Sequence, residues 1–81
     1  MLSSVKPRRK PSPRKQLGAA IRERRAKLEI SQEKLAELVN VHRNYVGKVE
    51  RGEQNITIDS LVRFAGVFKC RPSELLGEAG L

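Results

Sequence analysis

The stretch QEKLAELVNVHRNYVGKVER, residues 32–51, decides the fold because it predicts two short helices joined by a tight turn. Apolar residues at spacings of three and four place one helix at Gln32 to Val39 and the next at His42 to Arg51. Asn40 stands between them, and asparagine tolerates the left-handed conformation that a sharp turn needs. Ser31 is expected to cap the helix that begins at Gln32, without a full capping box. The residues expected to be buried here are Leu35, Ala36, Leu38, Val39, Val41, Val46 and Val49.

The outer face of the second of these helices carries side chains that can read base pairs. The face comprises His42, Arg43, Asn44, Gly47 and Lys48. An arginine can donate two hydrogen bonds to guanine O6 and N7, and an asparagine can pair with adenine N6 and N7. The N-terminal end of such a helix enters the major groove of DNA. The alternative is that Arg43 and Lys48 are only a solvated helix face.

The remaining apolar pattern predicts three further helices. In chain order the two helices described above are the second and third. The first helix runs from Arg14 to about Leu28, the fourth begins after Thr57 as its N-cap, and the fifth begins at Pro72 and ends at Gly77. Their expected core residues are Leu17, Ala20, Ile21, Leu28, Ile58, Leu61, Val62, Phe64, Ala65, Phe68, Leu75 and Leu76. The sequence therefore predicts an all-α domain of five short helices over residues 14–77.

The charge is strongly positive and unevenly placed. Seventeen Lys and Arg against nine Asp and Glu give a net charge of +8 on 81 residues, which favours a polyanionic partner. Residues 1–16 hold six bases and no acid. Three prolines in residues 1–13 oppose a helix, so this segment is predicted to be a disordered basic arm, either a solvated tail or a DNA contact. The prolines and the lack of an apolar face also argue against a mitochondrial presequence.

Several classes of protein are excluded by what the sequence lacks. A single cysteine, Cys70, and a single histidine can form neither an internal disulfide nor the usual zinc site. No nucleophile with a base and no phosphate-binding glycine loop can be recognised, so no enzymatic activity, cofactor or metal is expected. No apolar run reaches about 18 residues, so no membrane partner is expected. A reducing, cytoplasmic setting is favoured.

The sequence closely resembles the Cro/CI-type (XRE) helix-turn-helix family of bacterial and phage regulators. The resemblance covers about residues 17–76 and rests on LGAAIRERR, SQEKLAEL, HRNYVGKVERG, NITIDSLVRFA and PSELL, in order and at the family's spacing. Within the family, HRNYVGKVERGEQNITI is most similar to the controller proteins of restriction-modification systems. The resemblance implies a compact five-helix, lambda-repressor-like DNA-binding domain.

The resemblance also implies roles for individual residues. Gln32 matches the glutamine that holds a phosphate or supports a base-reading residue, and Tyr45 matches a position that touches DNA in controller proteins. The matches to the recognition positions are Arg43, Asn44 and Lys48. The matches to the phosphate-contacting loop are Arg51, Gln54 and Asn55. His42 replaces the Ser or Thr that usually caps this helix in the family. Gln54 occupies a position where a Lys or Arg is common in controller proteins.

The resemblance further implies an ion pair between Arg25 and Glu50 that links the first and third helices.

Together these features predict a homodimeric transcriptional regulator, associated with bacterial or phage DNA, that reads a near-palindromic operator. The C-terminal helices are expected to form the dimer through Leu75, Leu76, Val67 and Leu81. The alternative is an antitoxin that binds a protein toxin and represses its own operator. A basic membrane-surface peptide is disfavoured because the arm has too few large apolar residues.

Overall fold

The computed structural model describes residues 11–81, and this part of the chain contains five α-helices and no strand. The helices are α1 (Pro13–Lys27), α2 (Gln32–Val39), α3 (Arg43–Glu50), α4 (Ile58–Phe68) and α5 (Pro72–Glu78). The predicted all-α class and the order of the helices are confirmed. Most of the expected arm, residues 1–10, lies outside the described residues. None of the helices described is long and apolar enough to cross a membrane.

The helix starts are set by side chains that accept hydrogen bonds from the first free backbone N–H groups. The hydroxyl of Ser31 accepts from the Lys34 N–H at 2.9 Å, and Thr57 caps α4 in the same way, as predicted. Helix α1 begins one residue earlier than predicted, because Ser12 caps it and Pro13 fits its first position. Residues 12 and 13 therefore belong to the folded domain and not to the arm.

The predicted ends of α3 and α5 need small corrections. His42 and Arg51 flank α3 as its caps, so the helix is one residue shorter at each end than expected. Gly52 follows with φ +74°, and Asn40 has φ +66° as predicted for the turn between α2 and α3. Gly77 does not stop α5, which continues to Glu78 before the chain turns at Gly80 with φ +84°.

The core lies where all five helices meet. Its fully buried members include Ile21 from α1, Leu35 from α2, Val46 from α3, Phe64 from α4 and Leu75 from α5. Since Leu75 is completely buried within its own chain, the expectation that it packs across a dimer axis is wrong. Helix α5 is held against α1 by the same core and by an ion pair between Arg24 and Glu78, which lowers the pKa of the Glu78 carboxyl.

Four residues predicted to be in the core are exposed. Leu38 is 48% exposed because it lies roughly 100° around α2 from the buried face. Ile58 and Val62 are 73% and 50% exposed, and they lie on the side of α4 that faces away from the core. Leu28, the C-cap of α1, is also about half exposed.

Candidate nucleic-acid interface

An open cleft of about 630 Å³ lies between the start of α2 and the outer face of α3. Its lining residues are Arg25, Ser31, Gln32, Glu33, Arg43, Asn44, Gly47, Lys48 and Arg51. Four of these nine residues are cationic and one is a carboxylate, so the cleft favours an anionic ligand. Five residues singled out from the sequence therefore converge here, namely Gln32, Arg43, Asn44, Lys48 and Arg51.

Helix α1 fixes the end of α3 by close backbone contact at Gly18. A β-carbon at Gly18 would lie 2.2 Å from the carbonyl oxygen of Val49 and 2.9 Å from that of Glu50. Both distances are shorter than side-chain carbons tolerate, so only glycine allows α1 and α3 to approach this closely. The last turn of α3 is thereby held against α1, and its outer face points away from the core.

The predicted ion pair between Arg25 and Glu50 is confirmed and forms the base of the cleft. Arg25 Nε donates to Glu50 Oε2 at 2.6 Å, and Arg25 Nη2 donates to Oε1 at 3.1 Å. Only 2% of the Glu50 side chain is exposed. The hydrogen bond to Glu50 raises the pKa of the Arg25 guanidinium, so Arg25 stays charged. Arg25 also donates to the Ile30 carbonyl at 2.9 Å, which ties the loop before α2 to the same centre.

Gln32 is oriented by this buried carboxylate. Its Nε2 donates to Glu50 Oε1 at 2.9 Å. Its Oε1 then faces α3, where it lies 3.6 Å from the place of a β-carbon on Gly47. The amide is consequently held by the protein and presents a hydrogen-bond acceptor beside the outer face of α3.

Arg51 folds back over α3 across Gly47. A β-carbon on residue 47 would lie 3.2 Å from Arg51 Nη1, so any side chain at Gly47 would crowd the Arg51 guanidinium. Arg51 Nη2 donates to Glu53 Oε1 at 3.1 Å, which lowers the pKa of that carboxyl. The guanidinium thus stands at the mouth of the cleft instead of extending along the loop that follows α3.

The N-terminal end of α3 presents Arg43 and Asn44 to solvent. His42 Nδ1 accepts a hydrogen bond from the Asn44 N–H at 3.1 Å, so histidine performs the capping role that the sequence left open. The Arg43 side chain is 65% exposed and lies 3.9 Å from a carboxylate oxygen of Glu33. Such an exposed pair holds Arg43 only weakly, so its guanidinium remains free to reorient toward a ligand.

Four predicted site residues lie outside the cleft, and one of them is His42, the N-cap of α3. Tyr45 is half-buried and packs against the core from the other side of α3. Gln54 and Asn55 line a separate hollow of about 160 Å³ with Pro13, Arg14 and Leu81. The loop after α3 therefore lies beside the start of α1, where the N-terminal segment joins the domain.

Three residues of the cleft were not predicted to be part of it, and the first, Arg25, was expected only as the partner of Glu50. Ser31 was predicted as a cap, and it also lines the cleft. Glu33 lies ten residues from Arg43 and reaches it only because the turn folds α3 back across α2. No pattern in the sequence gives that crossing geometry, so Glu33 had no detectable signal. Among residues 11–81, no cluster of three or more potential metal-ligating side chains occurs.

Comparison with known proteins identifies the family. A family model described as helix-turn-helix matches residues 21–75, which include the whole α2–turn–α3 unit. The chain belongs to the helix-turn-helix family of Cro/CI (XRE) type. The control protein C.SmaI of Serratia marcescens is 42% identical over 52 residues, which cover 64% of this chain and 62% of that protein. The chain spans less than two thirds of the length of the curated relatives that it matches.

Solved structures of this family have the same fold. The clp gene regulator ClgR of Corynebacterium glutamicum is 30% identical with a TM-score of 0.82, over 86% of this chain and 90% of that chain. The restriction-modification controller protein C.AhdI of Aeromonas hydrophila is 35% identical with a TM-score of 0.76, over 80% and 98%. The resemblance to regulators and to controller proteins that the sequence indicated is therefore confirmed.

Proposed function

We propose that this helix-turn-helix protein is a transcriptional regulator that binds one double-stranded DNA sequence, without enzymatic activity. Residues at the exposed face of α3 would read base edges in the major groove, and Arg51 with the start of α2 would contact phosphates. The relatives described as controller proteins and gene regulators favour this function over a general DNA-coating role. Such a protein acts where bacterial or phage DNA lies, in the cytoplasm.

The observation that carries the proposal is that buried side chains position the helices at the cleft, while different, exposed side chains are available to a ligand. Glu50 is buried and engages Arg25 and Gln32, whereas Arg43 and Lys48 are exposed on the adjacent face of α3. The buried part fixes α2 and α3 as one rigid unit, and the exposed part supplies donors to a ligand. This is the arrangement that base reading requires, because a positioned arginine can offer both its donors to one guanine.

We further propose that two copies bind together on a near-palindromic operator. The contact surface of one 81-residue domain is small, and a two-fold pair places two α3 helices about 34 Å apart, so that they reach successive major grooves on one side of the duplex. The basic N-terminal segment, whose attachment point lies beside the loop after α3, would add phosphate contacts of general character.

The experiment begins with selection of bound duplexes from a random library by the full chain. The recovered site is then titrated with wild type and Arg43→Ala by fluorescence anisotropy at one fixed salt concentration. Loss of one bidentate contact costs about 1–3 kcal/mol per half-site, so the affinity of Arg43→Ala for the site should fall by at least tenfold. Circular dichroism should show an unchanged fold.

The matched control is Arg71→Ala, which removes the same charge from the exposed start of α5, outside the cleft. It should weaken binding to the selected site and to random DNA by the same small factor. If no sequence is enriched by the selection, or if both variants weaken binding equally, the assignment of sequence reading to α3 fails.

A further inference from the structure

The outward side of α4 forms a face that no other part of residues 11–81 covers. We call this the α4 outer face, and it consists of Ile58, Asp59, Val62, Arg63 and Gly66, all of them exposed. At 3.6 residues per turn these five positions fall within roughly 140° of the helix circumference, opposite the buried residues. Ile58 is 73% exposed, the highest value among the large apolar side chains of the described residues. Val62, which is 50% exposed, lies one helical turn from Ile58 on the same face, so the two side chains form one contiguous apolar patch.

The order of side chains along this face fits a second copy of the same face. In an antiparallel pair centred on Val62, residue 58 of one copy lies opposite residue 66 of the other. Ile58 would therefore meet Gly66, where a β-carbon would have no neighbour within 4 Å in a single chain. A large residue faces an empty position at both ends of the pair, and the two Val62 side chains meet at the centre.

The charges on the face are complementary in the same arrangement. Asp59 and Arg63 form no ion pair within residues 11–81. In the antiparallel pair, Asp59 of one copy and Arg63 of the other are separated by only about 3 Å along the direction of the helix axes. The two-fold symmetry produces the same contact a second time. The face thus provides two apolar contacts and two opposite-charge contacts with itself. A parallel pair would instead place each charge beside its own kind, which is unfavourable.

We propose that the α4 outer face is the surface through which two copies of this chain dock, with their α4 helices antiparallel. The inference rests on the proposed homodimer and identifies its interface. It differs from the contact expected from the sequence, which was to form through Leu75, Leu76, Val67 and Leu81, because Leu75 is buried in the core of each chain. Helix α4 packs on α2, α1 and α5 and leaves the cleft at α3 unobstructed, so docking at this face leaves both cleft surfaces accessible.

The first test compares two substitutions of equally exposed apolar residues by sedimentation equilibrium without DNA. Val62→Asp places two carboxylates at the centre of the pair and should raise the dimer dissociation constant at least a hundredfold. Leu38→Asp, at 48% exposure against 50% for Val62, lies on α2 and should leave the constant within twofold of wild type. Circular dichroism confirms the fold of both. A wild-type chain that is monomeric at 100 micromolar, or equal effects of the two substitutions, would overturn the proposal.

The second test uses charge complementation. Asp59→Arg alone and Arg63→Asp alone turn both charge contacts of the pair repulsive, so each variant should dimerise at least tenfold more weakly than wild type. When the two variants are mixed, both contacts become attractive again, because each chain then carries the sign that its partner needs. The mixture should form a one-to-one dimer near the wild-type constant. A mixture that dimerises no better than the separate variants would overturn the antiparallel register.

A third variant separates α4 from α5. Gly66→Leu fills the space reserved for Ile58 of the partner and should weaken the dimer, whereas Gly77→Leu fills equally open space on α5 and should not. The reverse result would overturn the proposal in favour of an α5 interface. All of these measurements are made without DNA. A negative result would therefore refute the α4 interface without bearing on base reading by α3, which Arg43→Ala tests.

Discussion

Gly18 of α1 lies so close to the backbone of α3 that a side chain there would have a predictable effect on stability. Substitution of Gly18 by alanine places a β-carbon 2.2 Å from the Val49 carbonyl oxygen, where ordinary contact begins near 3.4 Å. Helices α1 and α3 must therefore separate by about 1.2 Å, and overpacking of this kind costs about 1–3 kcal/mol. The obstacle is backbone and cannot rotate away, so the upper part of that range applies. The better helix propensity of alanine returns up to about 1 kcal/mol.

We therefore expect Gly18→Ala to lower the free energy of unfolding by about 2 kcal/mol, or roughly 8–16 °C in Tm. Urea denaturation followed by circular dichroism measures the first quantity and a thermal scan the second. The matched control is Gly77→Ala, where a β-carbon has no neighbour within 4 Å, and this change should be neutral or slightly stabilising. If Gly18→Ala is as stable as Gly77→Ala, the close contact does not hold α3 in place.

Three further predictions concern the cleft and the arm. Arg25→Ala leaves the buried Glu50 carboxylate without its guanidinium and should cost about 3 kcal/mol in urea denaturation; wild-type stability would contradict the pair. His42→Ala removes the cap of α3 and should cost about 1 kcal/mol, whereas His42→Ser should retain most of it; equal stability of all three proteins would exclude a capping role. Deletion of residues 2–10 removes four bases and should flatten the slope of log affinity against log salt by up to roughly 3.6; an unchanged slope would exclude the arm from binding.

Local signals in the sequence were sufficient to locate the five helices and the turn at Asn40. The spacing of apolar residues located all five helices, and Asn40 and Thr57 marked a turn and a cap through their own side-chain chemistry. These features depend on neighbours within four residues, so a single sequence contains them. The family resemblance added the pair of Arg25 and Glu50, which lie 25 residues apart and could not be joined by local reasoning.

Features that depend on how helices cross were not predictable. Leu38 and Val62 were expected to be buried because they are apolar, but burial is decided by which neighbouring helix covers each face. The same limit applies to the cleft, where Gln32 is oriented by Glu50 and Arg51 passes over Gly47. Those contacts arise only once α1 fixes the last turn of α3 against α2.

The most direct test of base reading by α3 is a double-mutant cycle between Arg43 and single guanines of the selected operator. Each guanine is replaced in turn by 7-deazaguanine, which keeps base pairing but removes the N7 acceptor that a bidentate arginine needs. Wild type should lose about 1–3 kcal/mol at one guanine per half-site, and Arg43→Ala should lose nothing further at that position. If both proteins lose the same affinity at every guanine, Arg43 does not read the operator and the account of the α3 face is contradicted.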